Sequence, residues 1–78
     1  MTLQKNTMAL ISEGFKIVAE YYDKAGRTVT CLQKGNECVL RFNNKRSCFT
    51  KYYTNKNEAN SHIKELINKY GYKRNKKI

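Results

Sequence analysis

Lysines, arginines and tyrosines are the residues of this chain that are most suited to bind a partner, and the basic ones concentrate in its second half. Residues 1–40 carry five basic and four acidic groups, whereas residues 41–78 carry eleven basic and two acidic groups. Such an asymmetry predicts an electrostatic footprint for an anionic partner: nucleic acid, an acidic protein surface or an anionic membrane surface. A membrane partner is not expected, because the apolar face of the predicted helix is needed to cover the sheet. A codon bias towards lysine, asparagine and tyrosine is the alternative origin of the charge.

Ten residues make up the candidate contact set for nucleic acid. Two tyrosines on predicted strands would stack on bases or sugars, and eight basic residues from strands, a hairpin tip and the C-terminal tail would neutralise phosphates. We expect DNA ahead of RNA as the ligand, and an ordinary solvated surface is the alternative interpretation. The set comprises Tyr22, Arg41, Lys45, Arg46, Lys51, Tyr52, Lys73, Arg74, Lys76 and Lys77.

Side chains for catalysis or metal binding do not assemble in the sequence. His62 is the one histidine, and the six acidic residues are scattered singly. No C-x-x-C pair, Gly-rich phosphate loop or nucleophile elbow occurs. We therefore expect a protein that is not an enzyme and that uses no cofactor and no metal.

The three cysteines are predicted to be reduced thiols. Cys31, Cys38 and Cys48 cannot all pair within one chain, and the N-terminal apolar run is too short for a secretion signal. In the predicted sheet Cys31 lies diagonal to Cys38, which is poor geometry for a disulfide. We expect thiols that behave as small hydrophobic groups in a cytoplasmic protein.

The length of the chain predicts one small domain. Its 78 residues include no run of about 18 apolar residues, so no membrane span is predicted. An apolar content of 40%, with 12% aromatic residues, favours a folded core over disorder. Since one core of this size supplies only a few kcal/mol, both a monomer and a homodimer are open.

Three strands are predicted from alternation and turn chemistry. A three-residue loop ending at Gly26 would pair Tyr21 with Val29, and a two-residue loop at 35–36 would pair Val29 with Phe42. The apolar side chains of three strands then share one face. In the first strand this face comprises Phe15, Ile17, Ala19 and Tyr21.

A third turn predicts a fourth strand over about 47–53. A two-residue loop there would pair Phe42 with Ser47 and Leu40 with Phe49. A shift by one residue would turn Cys48 and Tyr52 inward instead, so the register of this strand is left open.

The last predicted element is a helix over about 56–70. Asn55 is its N-cap, with Glu58 completing the motif of a capping box. Gly71 is suited to the C′ position, and Tyr72 would fold back over the last turn. One apolar stripe comprises Ala59, Ile63, Leu66, Ile67 and Tyr70.

These elements predict an α+β fold, a small antiparallel four-stranded β-meander (about 15–53) covered on one face by a C-terminal α-helix (about 56–70). Residues 1–14 form either an N-terminal arm or a short helix, 15–72 the single domain and 73–78 a basic tail. The other face of the sheet is expected to be exposed. It comprises Lys16, Glu20, Tyr22, Thr28, Thr30, Leu32, Val39, Arg41, Arg46, Thr50 and Tyr52.

Residues 21–27 and 54–59 are similar to the tyrosine-rich strand, the D-x-x-G-R turn and the T-x-K-x-E-A helix start of the arm-binding domain of mobile-element integrases. The 26 residues between these segments exceed the usual spacing and imply an added hairpin. The order helix, meander, helix also resembles a double-stranded-RNA-binding domain, but 52–59 lacks the G-x-G-x-S-K-K-x-A-K run of that family. The chain is therefore not assigned to either family.

The expected function is that of a small basic nucleic-acid-binding protein, an accessory or regulatory factor of a phage or mobile element. The alternative is a non-enzymatic protein-interaction module, such as a phage-encoded inhibitor or adaptor that docks on an acidic protein surface. Tyrosine and arginine serve both functions, since both are enriched at protein interfaces.

Overall fold

Residues 8–44 and 47–75 are described by the computed structural model of this chain. A short N-terminal helix, α1, covers residues 8–12. It is followed by β1 (Lys16–Tyr22), β2 (Thr28–Lys34), β3 (Glu37–Asn43), β4 (Cys48–Tyr53), α2 (Lys56–Tyr70) and β5 (Lys73–Arg74). The strands form one antiparallel sheet in the order β4-β3-β2-β1-β5. The predicted α+β class, the meander and the C-terminal helix are confirmed.

The first two hairpins have the registers that their turns predict. Tyr21 lies opposite Val29, and Val29 lies opposite Phe42. Gly26 has φ of +87°, a conformation that strains any residue with a Cβ atom. Loop length and glycine conformation therefore set the pairing of β1, β2 and β3.

The main core lies between this sheet and α2. Val29, Leu40 and Ala59 are fully buried in it, and Tyr72 packs there from beyond the helix. On α2 the buried residues are Ala59, Ile63 and Leu66. Ile67 and Tyr70, predicted to belong to the same buried stripe, are 41% and 54% exposed. The C-terminal part of the helix therefore presents apolar surface to solvent.

Asn55 caps the start of α2 and Gly71 its end, as predicted, but among the described residues Glu58 does not form the side-chain hydrogen bond that would complete a capping box. The Asn55 side chain accepts a hydrogen bond from the Asn57 N–H at 2.8 Å. At the other end, Gly71 has φ of +71°, and the Tyr72 N–H donates to the Leu66 carbonyl at 3.4 Å. This reversal turns the chain back towards the sheet and places Tyr72 in the core.

Because of a β-bulge at Val18, the residues at the start of β1 lie on the other side of the sheet from the one predicted. Ala19 pairs with Cys31 but Ile17 pairs with Leu32, so one extra residue separates the two pairs. Ala19 and the residues after it keep the predicted face. Ile17 and Phe15, predicted to point towards α2, lie instead on the opposite side of the sheet.

The bulge gives the outer face a second, smaller core. Phe15 is 4% exposed and packs there with Leu10 of α1, Leu32 and Val39. Leu32 and Val39 are predicted on an open surface, yet both are fully buried. α1 and the start of β1 therefore cover one end of the face that was predicted to be exposed.

The register between β3 and β4 differs from the prediction by two residues. Phe42 lies opposite Phe49 rather than Ser47, and Leu40 lies opposite Lys51. The connection has four residues instead of two, because the Asn44 side chain accepts the Ser47 N–H at 2.8 Å and closes a wider turn. Since the shift is even, each side chain of β4 keeps its predicted face.

The predicted basic tail begins as a strand. Tyr22 pairs with Lys73 and Tyr21 pairs with Arg74, which adds β5 to the edge of the sheet. The Asn75 N–H donates to the Glu20 carbonyl at 2.7 Å and extends this contact. Lys73 and Arg74 are thus held against β1, while residues 76–78 lie outside the described residues.

Candidate nucleic-acid interface

One open part of the outer face is a polar strip, which we call the open row. Cross-strand pairing places Asn43, Thr28, Tyr22 and Lys73 side by side on β3, β2, β1 and β5. Tyr22 is 44% exposed and Lys73 is exposed beside it. Residues with amide, hydroxyl and ammonium groups, which are types of group able to contact phosphate oxygens, therefore share this row with an accessible tyrosine.

Arg41 does not belong to the accessible contact set. Its side chain lies on the outer face but is only 2% exposed, and its guanidinium donates a hydrogen bond to the Thr50 hydroxyl. A guanidinium with so little accessible surface can make almost no contact with a phosphate. The strand alternation places Arg41 on the correct face but does not show that the face is covered there.

Tyr52 lies on the outer face, far from Tyr22. It is 57% exposed on β4, and its ring meets the edge of Phe15 at a centroid distance of 6.3 Å. Three strand spacings and four residues of offset separate the two tyrosines by about 20 Å. They cannot stack on neighbouring bases, so Tyr52 does not extend the open row.

Two of the predicted phosphate contacts face the helix side of the sheet. Lys51 lies opposite Leu40, with its ammonium 5.7 Å from the centroid of the Tyr53 ring. Arg74 pairs with Tyr21 on the same side. Lys45, Arg46, Lys76 and Lys77 lie outside the described residues. The structure thus divides the described part of the contact set between both sides of the sheet.

A cleft on the helix side was missed by the sequence interpretation. It has a volume of about 330 Å³ and lies between the β3–β4 hairpin and the end of α2. We call it the helix-side cleft. Its lining includes Phe42, Phe49, His62, Glu65, Tyr70 and Arg27.

Two of the aromatic rings that line the helix-side cleft, those of Phe49 and Tyr70, are well exposed. Phe42 and Phe49 stack across the strands, with centroids 4.7 Å apart and planes 8° from parallel. Phe49 and Tyr70 are 58% and 54% exposed. Both residues fit the inward apolar pattern, which is why the sequence predicts them in the core. Alternation alone does not show that α2 leaves the start of β4 uncovered.

His62 has structural partners. Its Nδ1 is hydrogen-bonded to the Tyr53 hydroxyl, and its ring lies 5.5 Å from that of Phe42. Burial raises the pKa of Tyr53, and the neighbouring Cys38, Glu58 and Glu65 raise it further, so this hydroxyl stays protonated at neutral pH.

Arg27 at the rim of the helix-side cleft is held by Asp23. The Asp23 carboxylate accepts hydrogen bonds from the N–H groups of Ala25 and Arg27 and from the Arg27 guanidinium at 2.6 Å. Burial raises the pKa of this carboxyl, but the Arg27 contacts and the Ala25 N–H together hold it below its ordinary value. The pair fixes the β1–β2 turn and leaves Arg27 partly exposed.

Acid is expected to destabilise the fold through Asp23. Because its pKa is lower in the folded chain, the carboxylate stabilises the fold at neutral pH, and this contribution is lost as the pH falls from about 4 through the folded pKa. Thermal unfolding of wild type and Asp23→Asn between about pH 2 and 7 should show a smaller loss of stability over this range in the variant. Identical pH dependence would contradict the assignment.

Cys31 and Cys38 are free, buried thiols, as expected. Their sulfur atoms are 3.3 Å apart, which is too far for a bond. Burial, followed by the hydrogen bond with Cys38, raises the pKa of Cys31 to about 12. A thiol of this kind has very little thiolate at neutral pH.

Thiol alkylation is therefore expected to require unfolding. In a Cys48→Ser variant, Cys31 and Cys38 should resist iodoacetamide under native conditions and react completely in denaturant. Intact mass after timed quenching gives the number of adducts. Rapid alkylation of either thiol in the folded chain would show that it is accessible to the reagent.

Across residues 8–44 and 47–75, no group of three or more His, Cys, Asp or Glu side chains could hold a metal ion. Over the same residues, no helix is long and apolar enough to cross a membrane.

Comparison with family models, with curated proteins and with solved structures gave no match to this chain.

Proposed function

We propose that this chain is a small basic nucleic-acid-binding protein, an accessory or regulatory factor of a phage or mobile element. The observation that carries the proposal is the open row, where the exposed residues Tyr22 and Lys73 pair across neighbouring strands on a surface that also carries hydroxyl and amide side chains. A row of this composition provides stacking and phosphate contacts together.

The distribution of charge supports the proposal. Every lysine and arginine in the described part of the chain is exposed, apart from Arg41. The formal net charge is +10. In the mechanism that we propose, Lys45, Arg46, Lys51, Lys73 and the following tail neutralise phosphates, while Tyr22 stacks on a base or sugar. Arg41 has no direct contact in this mechanism.

The salt dependence of binding tests this function. Fluorescence anisotropy would follow labelled single- and double-stranded DNA and RNA at about 50 and 200 mM salt. If about five phosphates are neutralised, the log–log slope on duplex DNA should lie near −4.5. Absence of binding to every oligonucleotide at the lower salt concentration would refute the proposal.

A protein-interaction module is the second candidate, and the edge of the sheet favours it. β4 is a terminal strand, paired with β3 alone among the described strands. Phe49 and Tyr52 are exposed on its two sides. An acidic segment in extended conformation could add to this edge through main-chain hydrogen bonds. A stoichiometric complex that survives nuclease treatment of a lysate would favour this function over the first.

A further inference from the structure

We propose that an unpaired base stacks on the exposed face of Phe49, at the edge of the helix-side cleft, and that this contact makes single strands the preferred nucleic-acid ligand. This inference rests on the proposed function and deepens it. In the proposed function the open row attracts any nucleic acid, whereas the Phe49 ring would select for a base that is free of a partner.

The first argument is the ring stack at the edge of the sheet. Phe42 occupies one face of Phe49, and their near-parallel planes align the stack across the strands. Because β4 ends the sheet on this side, no further strand among the described residues covers the other face of Phe49. A base added there would become the third ring of the stack, in the offset geometry that aromatic groups favour.

The second argument is the charge pattern around the helix-side cleft. Glu65 lines it, and the guanidinium of Arg27 is already paired with Asp23. The charge beside Phe49 therefore favours an uncharged ring over a phosphate. Lys51 lies two residues beyond Phe49 on the same side of β4, about 7 Å along the strand. This arrangement would place the neutral base on Phe49 beside the cleft and the charged backbone towards the lysine.

The third argument concerns duplexes. A base inside a duplex has both of its faces covered by neighbouring base pairs, so stacking on Phe49 requires that it first be unstacked. That step costs a few kcal/mol in paired DNA and much less in a single strand. Base–aromatic stacking is also tolerant of sequence, so we expect selection for strandedness rather than for a particular base.

A tryptophan at position 49 reports directly on stacking. The chain contains no tryptophan, so Phe49→Trp provides a single fluorophore. We expect its emission to be quenched by a single-stranded oligonucleotide, and much less by the matching duplex or by an abasic oligonucleotide of equal charge. A Tyr22→Trp variant carries the fluorophore on the open row instead, and its quenching by the same three ligands is the comparison. Equal quenching of the Phe49→Trp variant by all three ligands, or no quenching, would overturn the inference.

Affinity measurements supply the second test. Phe49→Leu keeps the apolar bulk but removes the ring, so single-strand affinity should fall about 5- to 150-fold while duplex affinity stays unchanged. Phe49→Trp should restore single-strand binding. If the wild type binds no oligonucleotide, the proposed function fails. If it binds, and Phe49→Leu binds single strands as tightly, only this inference fails.

The emission of the Phe49→Trp variant also identifies two other partners that could bind the surface around Phe49. If the emission of the Phe49→Trp variant changes with protein concentration alone, the surface belongs to a second copy of the chain. If the emission changes with a poly-glutamate peptide but not with oligonucleotides, the surface belongs to an acidic protein segment. Either result would overturn the proposal.

Discussion

Replacing Leu32 with alanine is expected to lower the free energy of unfolding by about 2–5 kcal/mol. The side chain is fully buried on the outer face, where it packs in the second core with Leu10, Phe15 and Val39. Truncation would remove apolar contacts and leave a cavity that α1 could fill only in part. A domain of this length has a total stability of about 4–12 kcal/mol, so the change would remove a large share of it.

Urea unfolding followed by circular dichroism measures this effect. Met8→Ala is the control, because Met8 belongs to α1 but is 66% exposed. The control should change stability by less than about 0.5 kcal/mol. An equally small change for Leu32→Ala would mean that this end of the outer face is open, as strand alternation alone suggests.

The second large effect is expected from the basic groups around the β3–β4 hairpin. Replacing Lys45, Arg46 and Lys51 together with alanine should weaken binding to all nucleic-acid sequences alike, because phosphate contacts carry no sequence information. Three lost contacts would change the log–log salt slope from about −4.5 to about −1.8. Between 50 and 200 mM salt, wild type would then lose about 500-fold in affinity and the variant about 12-fold.

A charge-matched variant distinguishes local contacts from net charge. Replacing Lys24, Lys56 and Lys64, which are exposed at the β1–β2 turn and on α2, also removes three positive charges. This variant should keep the wild-type salt slope. Unchanged affinity in the first variant, or equal losses in both, would contradict the assignment of Lys45, Arg46 and Lys51 as contacts.

The registers of the first two hairpins could be predicted because their determinants are local. Gly26 and the Gly35-Asn36 pair specify loop length and backbone conformation, and these fix the pairing of the flanking strands. The wider turn at Asn44 was missed. The sequence does contain a signal for this turn, because the Asn44 side chain can accept a hydrogen bond from the N–H of Ser47, three residues later.

Local sequence patterns do not predict the bulge, β5 or the helix-side cleft. Ile17, Val18 and Ala19 are all apolar, so nothing in their alternation marks the residue that is inserted. β5 is two basic residues long and carries no strand pattern of its own. The exposure of Phe49 depends on how far α2 extends over the sheet, which is a property of tertiary packing.

Backbone amide NMR during an oligonucleotide titration tests the central claim most directly, since it reports both binding and its location. Spectra of the ¹⁵N-labelled chain would be recorded with a short single-stranded DNA at low salt. We expect the largest shift changes at Tyr22 and Lys73 of the open row, and at Phe49 and Lys51 beside the helix-side cleft. Leu32 and Val39 in the second core should change little. An unchanged spectrum, or changes confined to the second core, would contradict this account.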